Sequence, residues 1–346
     1  MKTIRKNFFK FQIMRFLHVF FLLKALLFFA CVSAEEDLAE IQLVDDLRIE
    51  QLPDSSFLIG VRSVFIDHNK VYLADSERNQ VVVFDENGSF VSSIGQLGRG
   101  PGELLGPGQL YINNDTLFVF SGGKHAIDLF SNNQFVKTIP FSDINGMYTG
   151  GRFFVDSGEV FISMVDLNGC ISAIPINSID ENRSFGQLTR FSTDKQTIIQ
   201  NHRKVFLHRN KTIAVSFFQP IIERYSKDGK LLEKFSYENL ELISPQIQKA
   251  REQLSAENVA ICLAVDAYIY KNYIYVLLCY SDNDRAYSNK ILLIDLSGES
   301  MKLKKLLDLG PGWFTTIGVS GENIWAFRSD AHMRYLARFP LKSQEF

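Results

Sequence analysis

One unit of strand, polar loop, strand, tight turn and strand recurs six times along the chain, and this repetition restricts the fold more than any other feature. The first copy is the cleanest. Val71-Tyr72-Leu73-Ala74-Asp75 leads through Ser76-Glu77-Arg78-Asn79-Gln80 into Val81-Val82-Val83-Phe84-Asp85, and Glu86-Asn87-Gly88 then turns the chain into Phe90-Val91-Ser92-Ser93-Ile94. Asn-Gly between apolar runs is a strong hairpin signal. Later copies begin at Leu117, Val160, Ile213, Ile274 and Ile324, giving spacings of 43 to 61 residues. A further strand precedes each copy, as in Val64 to Asp67 or Val259 to Val265. Four strands per repeat at this period predict an all-β, six-bladed β-propeller of four-stranded antiparallel blades, numbered from the inside out.

The length of 346 residues would also allow two or three domains, so periodicity rather than size decides for one. After Phe339 the sixth repeat has no outer strand, while Leu47-Arg48-Ile49-Glu50 near the other end is strand-like. Pairing the two would hide two open edges at once, so the N-terminal strand is expected to close the ring. Two stretches break the pattern. Residues 177 to 203 are polar and irregular, and 241 to 256 begin with Ser244-Pro245 and carry Ile247, Ala250 and Leu254 at helical spacing, which predicts a short helix.

Residues 1–34 read as an export signal and 38–346 as the propeller. Lys2, Arg5, Lys6, Lys10 and Arg15 precede the apolar run Phe16 to Ala30, which His18 and Lys24 interrupt, leaving it short of a clean membrane span. Cleavage after Ala34 competes with a relaxed lipobox, Phe28-Phe29-Ala30-Cys31, that would lipidate Cys31. The acidic run Glu35-Glu36-Asp37 favours lipidation, because it resembles the surface-export signal of Bacteroidetes lipoproteins. The expected location is therefore the outer membrane or cell surface, with a soluble periplasmic protein as the alternative. Without the first 30 residues, 31 Lys and Arg face 39 Asp and Glu, so the exported part carries about −8 and repels nucleic acid.

The remaining cysteines, Cys170, Cys262 and Cys279, form no zinc spacing. Cys262 and Cys279 flank the hairpin turn Tyr270-Lys271-Asn272-Tyr273 and fall within a residue of facing each other, so either a disulfide or two buried thiols fits. The glycine-rich Gly95-Gln96-Leu97-Gly98-Arg99-Gly100-Pro101-Gly102-Glu103 lacks the Gly-Lys-Ser/Thr and following helix of a phosphate loop. It reads instead as a connection between blades. Together with Phe84-Asp85-x-x-Gly88-x-Phe90 and the Val71 to Asp75 strand, Gly98-x-Gly100-Pro101-Gly102-Glu103 resembles the NHL-like six-bladed β-propeller family of exported Bacteroidetes proteins. The resemblance is strongest over residues 60 to 140, and it implies a fold and an export route without a shared catalytic residue.

Two functional classes follow. The first is a ligand- or partner-binding module of the cell envelope, recognising an envelope protein, glycan or peptide. The second is a metal-dependent hydrolase or lyase, lactonase-like or acting on glycan or peptide, with calcium or zinc in the central channel. No cofactor is required by any motif, no Gly-x-Ser-x-Gly occurs, and the histidines (His68, His125, His202, His208, His332) show no metal spacing. Asp67 and Asp266, read as ends of inner strands, are the best carboxylates for a channel metal. Strand order places second-to-third-strand loops and interblade connections on one face. That face gathers Arg78, Lys124, His125, Gln219, Asp284, Arg285, His332 and Arg334 from loops, and Arg99, Tyr148, His202, Arg203 and Trp313 from connections, with Glu103 beside them. Cations and aromatics at one channel end point to an anionic ligand that stacks on Trp313 or Tyr148.

Overall fold

Six sheets surround a central channel, each built on a run of consecutive antiparallel strands whose first member is innermost. The structure, a computed structural model, describes residues 38–141, 147–148, 150–166, 168–178, 181–253, 260–283, 285–331 and 333–341, and Glu40–Phe346 forms one compact unit. Two short strands come first, β1 (Glu40–Gln42) and β2 (Leu47–Ile49). Blade 1 is β3 (Val61–Asp67), β4 (Lys70–Asp75), β5 (Gln80–Asp85) and β6 (Phe90–Ile94). Blade 2 is β7 (Pro107–Asn113), β8 (Thr116–Ser121), β9 (Ala126–Ser131) and β10 (Gln134–Pro140). Blade 3 is β11 (Phe154–Asp156), β12 (Glu159–Ile162), β13 (Ile171–Pro175) and β14 (Arg183–Phe185). Helix α1 (Asp194–Gln200) then leads to blade 4, formed by β15 (Arg203–His208), β16 (Lys211–Ser216), β17 (Ile221–Tyr225) and β18 (Leu231–Ser236). A 3-10 turn and helix α2 (Ser244–Gln253) precede blade 5, which is β19 (Ala264–Tyr270), β20 (Tyr273–Asp282), β21 (Arg285–Asp295) and β22 (Lys302–Asp308). Blade 6 is β23 (Phe314–Val319), β24 (Asn323–Ser329) and β25 (Arg334–Pro340). Among the described residues no helix is long and apolar enough to cross a membrane.

The hairpins form where local chemistry permits. Asn132 and Asn133 both take positive φ in the two-residue turn between β9 and β10, a conformation asparagine tolerates best after glycine. Asp85 accepts from the amides of Asn87 and Ser89 and so closes the Asn-Gly turn of blade 1. Burial then stacks the sheets. Val61, Val64, Leu73 and Phe84 of blade 1 pack on Trp325, Phe327 and Leu336 of blade 6, and similar apolar layers lie between other neighbouring blades.

The first residues of the ring hold two sheets together. β2 pairs antiparallel with β25, Leu47 opposite Arg338 and Ile49 opposite Leu336, and supplies the fourth strand of blade 6. A feature the sequence pattern does not carry is β1, which runs parallel beside β22 and makes blade 5 five-stranded. The stretch 177–203, expected to be irregular, contains the outer strand β14 and helix α1. Thr193 caps that helix by accepting from the Gln196 amide. The helix expected within 241–256 is present as α2. Cys31, the candidate lipidation site, lies outside the described residues.

Candidate functional site

The geometry of the site starts from a repeated irregularity in the inner strands. In β3, β7, β19 and β23 the pairing slips by one residue near the start, leaving Arg62, Gly108, Val265 and Thr315 as bulged positions. A bulge re-aims the chain, and all four line one cavity of about 530 Å³ at the channel mouth. Tyr148, Phe217 and Trp313 add aromatic walls. Arg62 is exposed at this rim, and its Nε donates to Ser76 Oγ at 3.3 Å.

The residue after each bulge is polar and buried: Ser63, Gln109, Asp266 and Thr316. Arg152 lies across the channel at this level. Its Nε and Nη2 donate to the two oxygens of Asp266 at 3.0 and 2.5 Å, Nη1 donates to Val64 O at 3.0 Å, and Nη2 also reaches Ile317 O at 2.7 Å. Thr316 Oγ1 and the Ile317 amide complete the shell of Asp266, at 2.7 and 3.0 Å. One side chain thus ties blades 1, 3, 5 and 6 together. Burial opposes ionisation of Asp266, but the Arg152 guanidinium outweighs it and holds the carboxyl below its usual range.

Two residues further along the inner strands the layer is aromatic. Phe65, Tyr111, Phe153, Phe206 and Tyr268 line a second cavity of about 110 Å³, with ring centroids 5.8 to 6.2 Å apart for Phe65, Tyr111, Phe153 and Tyr268. Blade 6 has Gly318 at the corresponding place, where a Cβ would come within 2.7 Å of Val64. Asp266 is on the floor of the first cavity and Arg152 on the wall of the second, so the ion pair separates them and makes the mouth a cup.

Two polar groups in and beside the cup are unusual. Gln109, 3 % exposed, donates its Nε2 to Arg62 O and Gly150 O at 3.3 and 3.1 Å, while its Oε1 has no partner among the described residues. An unpaired buried acceptor is costly unless a donor arrives from water or ligand. Lys204, fully buried, sits over the Phe217 ring and donates to Ala264 O at 3.4 Å. Burial pushes its ammonium down to about 7, against the attraction of Asp266 and Cys262.

The residues expected from sequence divide sharply. Trp313 and Tyr148 line the cup. His202 and Arg203 are corrected from ligand contacts to buried supports: β15 begins at Arg203, a residue earlier than expected, and His202, still in the connection, is buried beneath the packing of Tyr148. Arg203 pairs with Glu223 at 2.9 Å and with Ser216 Oγ at 3.1 Å inside blade 4, and the His202 ring lies 5.0 Å from that of Tyr148. Arg78 anchors the strand-to-blade segment through Ser56 Oγ (2.6 Å) and Phe57 O. Glu103 caps its own glycine loop, accepting from Gly100 N at 2.7 Å and Gln96 Nε2 at 3.3 Å, and those same bonds hold its carboxyl below the usual range. Lys124 is likewise occupied, by Asp128, Glu103 O and Gly100 O. Arg99, His125 and Arg285 are exposed and outside the cup lining, and Arg334 lines a separate groove with Phe57 and Met333. His332 and Asp284 lie outside the described residues.

Asp67 and Asp266 do not share a site. Asp67 ends β3 beside His68, whereas Asp266 is the third residue of β19, at the other end of the channel from the Asp67 turn. Among the described residues no three His, Cys, Asp or Glu side chains converge in a way that could hold a metal ion. Cys262 and Cys279 are both free thiols. Arg62, Gln109, Phe217 and Thr315 are the site residues that sequence reading passed over. For Arg62, Gln109 and Thr315 the readable signal is a motif of apolar, any, polar, apolar, then aromatic or glycine at the inner-strand start: Val61 to Phe65, Pro107 to Tyr111, Ala264 to Tyr268 and Phe314 to Gly318; Phe217, just after β16, carries no such signal.

His202 gives a pH test of this packing. Burial lowers its pKa to about 4, with Arg203 and Lys204 adding to the effect. The unfolded chain then takes up a proton near pH 6.5 that the folded one refuses until about 4, so folding weakens as pH falls through that window. The contribution lost is about 3 kcal/mol at 1.36 kcal/mol per unit. Urea unfolding at pH 7 and pH 4 should show this extra loss in the wild type and not in His202→Asn; equal losses would contradict the neutral buried imidazole.

Sheet number, blade size and a cup at the channel mouth define the class as six-bladed β-propeller. The chain belongs to the DUF5128 family of six-bladed β-propellers, whose sequence pattern it matches over residues 49–302. No curated protein matches the sequence. Its fold is similar to a member of the DUF4221 family from Bacteroides vulgatus (TM-score 0.57, 11 % identity, 87 % of this chain and 97 % of the other). A candidate exported protein from Bacteroides fragilis is also similar (TM-score 0.55, 12 % identity, 88 % and 99 %). Virginiamycin B lyase from Staphylococcus aureus shares the architecture at TM-score 0.51 and 10 % identity, over 86 % of this chain and 99 % of that one.

Proposed function

We propose that this is an exported, lipid-anchored binding propeller of the cell envelope whose cup takes a small anionic ligand with a flat apolar face, such as an acidic sugar or a peptide carboxylate. The cup carries the reading: Arg62 at its rim, Trp313 and Tyr148 on its walls and the unpartnered Gln109 Oε1 on its floor. A guanidinium binds a carboxylate through a two-pronged hydrogen bond, an aromatic face packs on the C–H face of a sugar, and the amide oxygen accepts a hydroxyl or N–H. About 530 Å³ suits one or two sugar or amino-acid residues. Export and attachment through Cys31 rest on the N-terminal signal, and export alone has further support in the fold shared with the candidate exported protein of B. fragilis. The metal-dependent hydrolase or lyase reading lacks comparable support, since the Asp266 carboxylate is already taken by Arg152, Thr316 and Ile317.

Calorimetric titration with glucuronate, galacturonate and acetylated dipeptides tests the proposal. Trp313→Ala and Arg62→Ala are each expected to weaken the best ligand about tenfold or more, as loss of one stacked ring or one charge-assisted pair does. Arg285→Ala, outside the cup, should leave affinity unchanged. Equal affinity in all three folded variants would remove the cup as the binding site.

A further inference from the structure

Cys262 and Cys279 meet beside the cup, brought there by the β19–β20 hairpin. The pairing of these strands runs on past the start of β19, where the Cys279 amide donates to Leu263 O at 2.9 Å. Cys262, the chain neighbour of Leu263, is thereby brought next to Cys279 across the strand pair. Gln246 of α2 bridges them from above, its Nε2 donating to Cys262 O at 3.3 Å and to Cys279 Sγ at 3.8 Å, while Ser281 Oγ donates to its Oε1.

The two members are not equivalent. Cys262 is half-buried and Cys279 is only 4 % exposed. The Cys279 thiol and the nearby Lys204 ammonium favour a thiolate at Cys262, whereas hydrogen bonding to Cys262 and burial keep the proton on Cys279. Cys170 differs from both, with no exposed surface and a thiol that burial pushes up to about 11.

We propose that Cys262 and Cys279 are a thiol–disulfide pair in which Cys262 attacks and Cys279 resolves. The oxidant is a disulfide-bearing thiol compound or oxidoreductase, a class that an oxidising compartment supplies. The Cys262 thiolate attacks one sulfur of that disulfide, its S–S bond breaks, and a mixed disulfide forms as the first donor thiolate leaves. Cys279 then gives up its proton and attacks Cys262 Sγ, the mixed disulfide breaks, and the second donor thiolate leaves. The donor gains two electrons and takes up the two protons lost from the cysteines. The new bond fastens the segment before β19, which carries Val265 and Asp266 of the cup, to β20.

The full chain, reduced and freed of reductant, is incubated with oxidised glutathione, unfolded in N-ethylmaleimide and mapped by mass spectrometry, with Cys31 scored separately. The wild type should lose label at Cys262 and Cys279 together and yield one peptide pair linked through them, while Cys170 stays labelled. Cys279→Ser should stop at a glutathione adduct on Cys262, and Cys262→Ser should react at Cys279 about tenfold more slowly or less. Complete labelling of both wild-type cysteines after incubation would overturn the proposal, as would equal reaction rates in the two variants. Should either variant fail to fold, brief iodoacetamide treatment of the native wild type decides the order, with Cys262 alkylated ahead of Cys279 expected and the reverse excluding it.

Discussion

Arg152→Ala should lower the melting temperature by about 6–20 °C. Removing one partner of a buried pair costs about 3–5 kcal/mol, because the survivor stays charged in a medium that cannot solvate it, and each kcal/mol moves the midpoint of a domain this large by about 2–4 °C. Here the survivor is Asp266, 3 % exposed, and Val64 O and Ile317 O lose their donor as well. Arg152→Lys keeps the charge but not the planar fork that reaches both carboxylate oxygens, so it should fall between the wild type and the alanine variant. The double change Arg152→Met with Asp266→Leu leaves no orphaned charge and should cost less than the two single losses added together. Scanning calorimetry on the wild type, the variants above and the single changes Arg152→Met and Asp266→Leu, six proteins in all, checks this, and a midpoint for Arg152→Ala within 2 °C of wild type would contradict the role assigned to the pair.

Deletion of residues 38–52 is the second large effect, expected to lower the melting temperature by more than about 10 °C and to promote aggregation. The deletion removes both β1 and β2, so β22 and β25 become unpaired edges, and the buried Leu43 and Leu52 are lost from the core. The Arg338 to Asp46 pair, at 2.9 Å on both oxygens, goes too, but it is partly exposed and should contribute under about 1 kcal/mol. Arg338→Ala alone therefore tests whether the strands or the ion pair matter. An unchanged melting temperature and an unchanged monomer on size-exclusion chromatography after the deletion would show that these strands do not hold blades 5 and 6.

Much of this architecture was legible in the letters. Alternation and β-branched runs mark the strands, and Asn-Gly, Asn-Asn and Asp-Gly mark the turns, because both signals are local: a strand face repeats every two residues and a positive φ suits few side chains. The signal weakened in blade 3, where β11 and β14 have three residues each and β14 sits in a stretch that reads as polar loop. So short a strand holds too little alternation to be seen.

The face of the propeller was also readable, since strand order alone puts loops and connections on the same side. Its occupants were not. A cation near a loop reads as exposed, yet Arg203 has no exposure and Arg78 and Lys124 spend donors on neighbouring backbone. A guanidinium looks the same in sequence whether it faces solvent or a buried carboxylate such as Glu223, twenty residues further along the chain.

What the sequence determined by itself is the count of repeats, the four-strand unit and the strand-like segment before the first repeat, all consequences of short-range periodicity and turn chemistry. Only the tertiary structure decided which residues make the cup, how Arg152 closes its floor, and that Cys262 meets Cys279. Arg62, Gln109, Asp266 and Thr315 lie roughly fifty or more residues apart, and each is turned by a bulge whose register depends on the partner strand. Closing the ring brings them around one cavity, so a site assembled from separate inner strands has no contiguous trace along the chain.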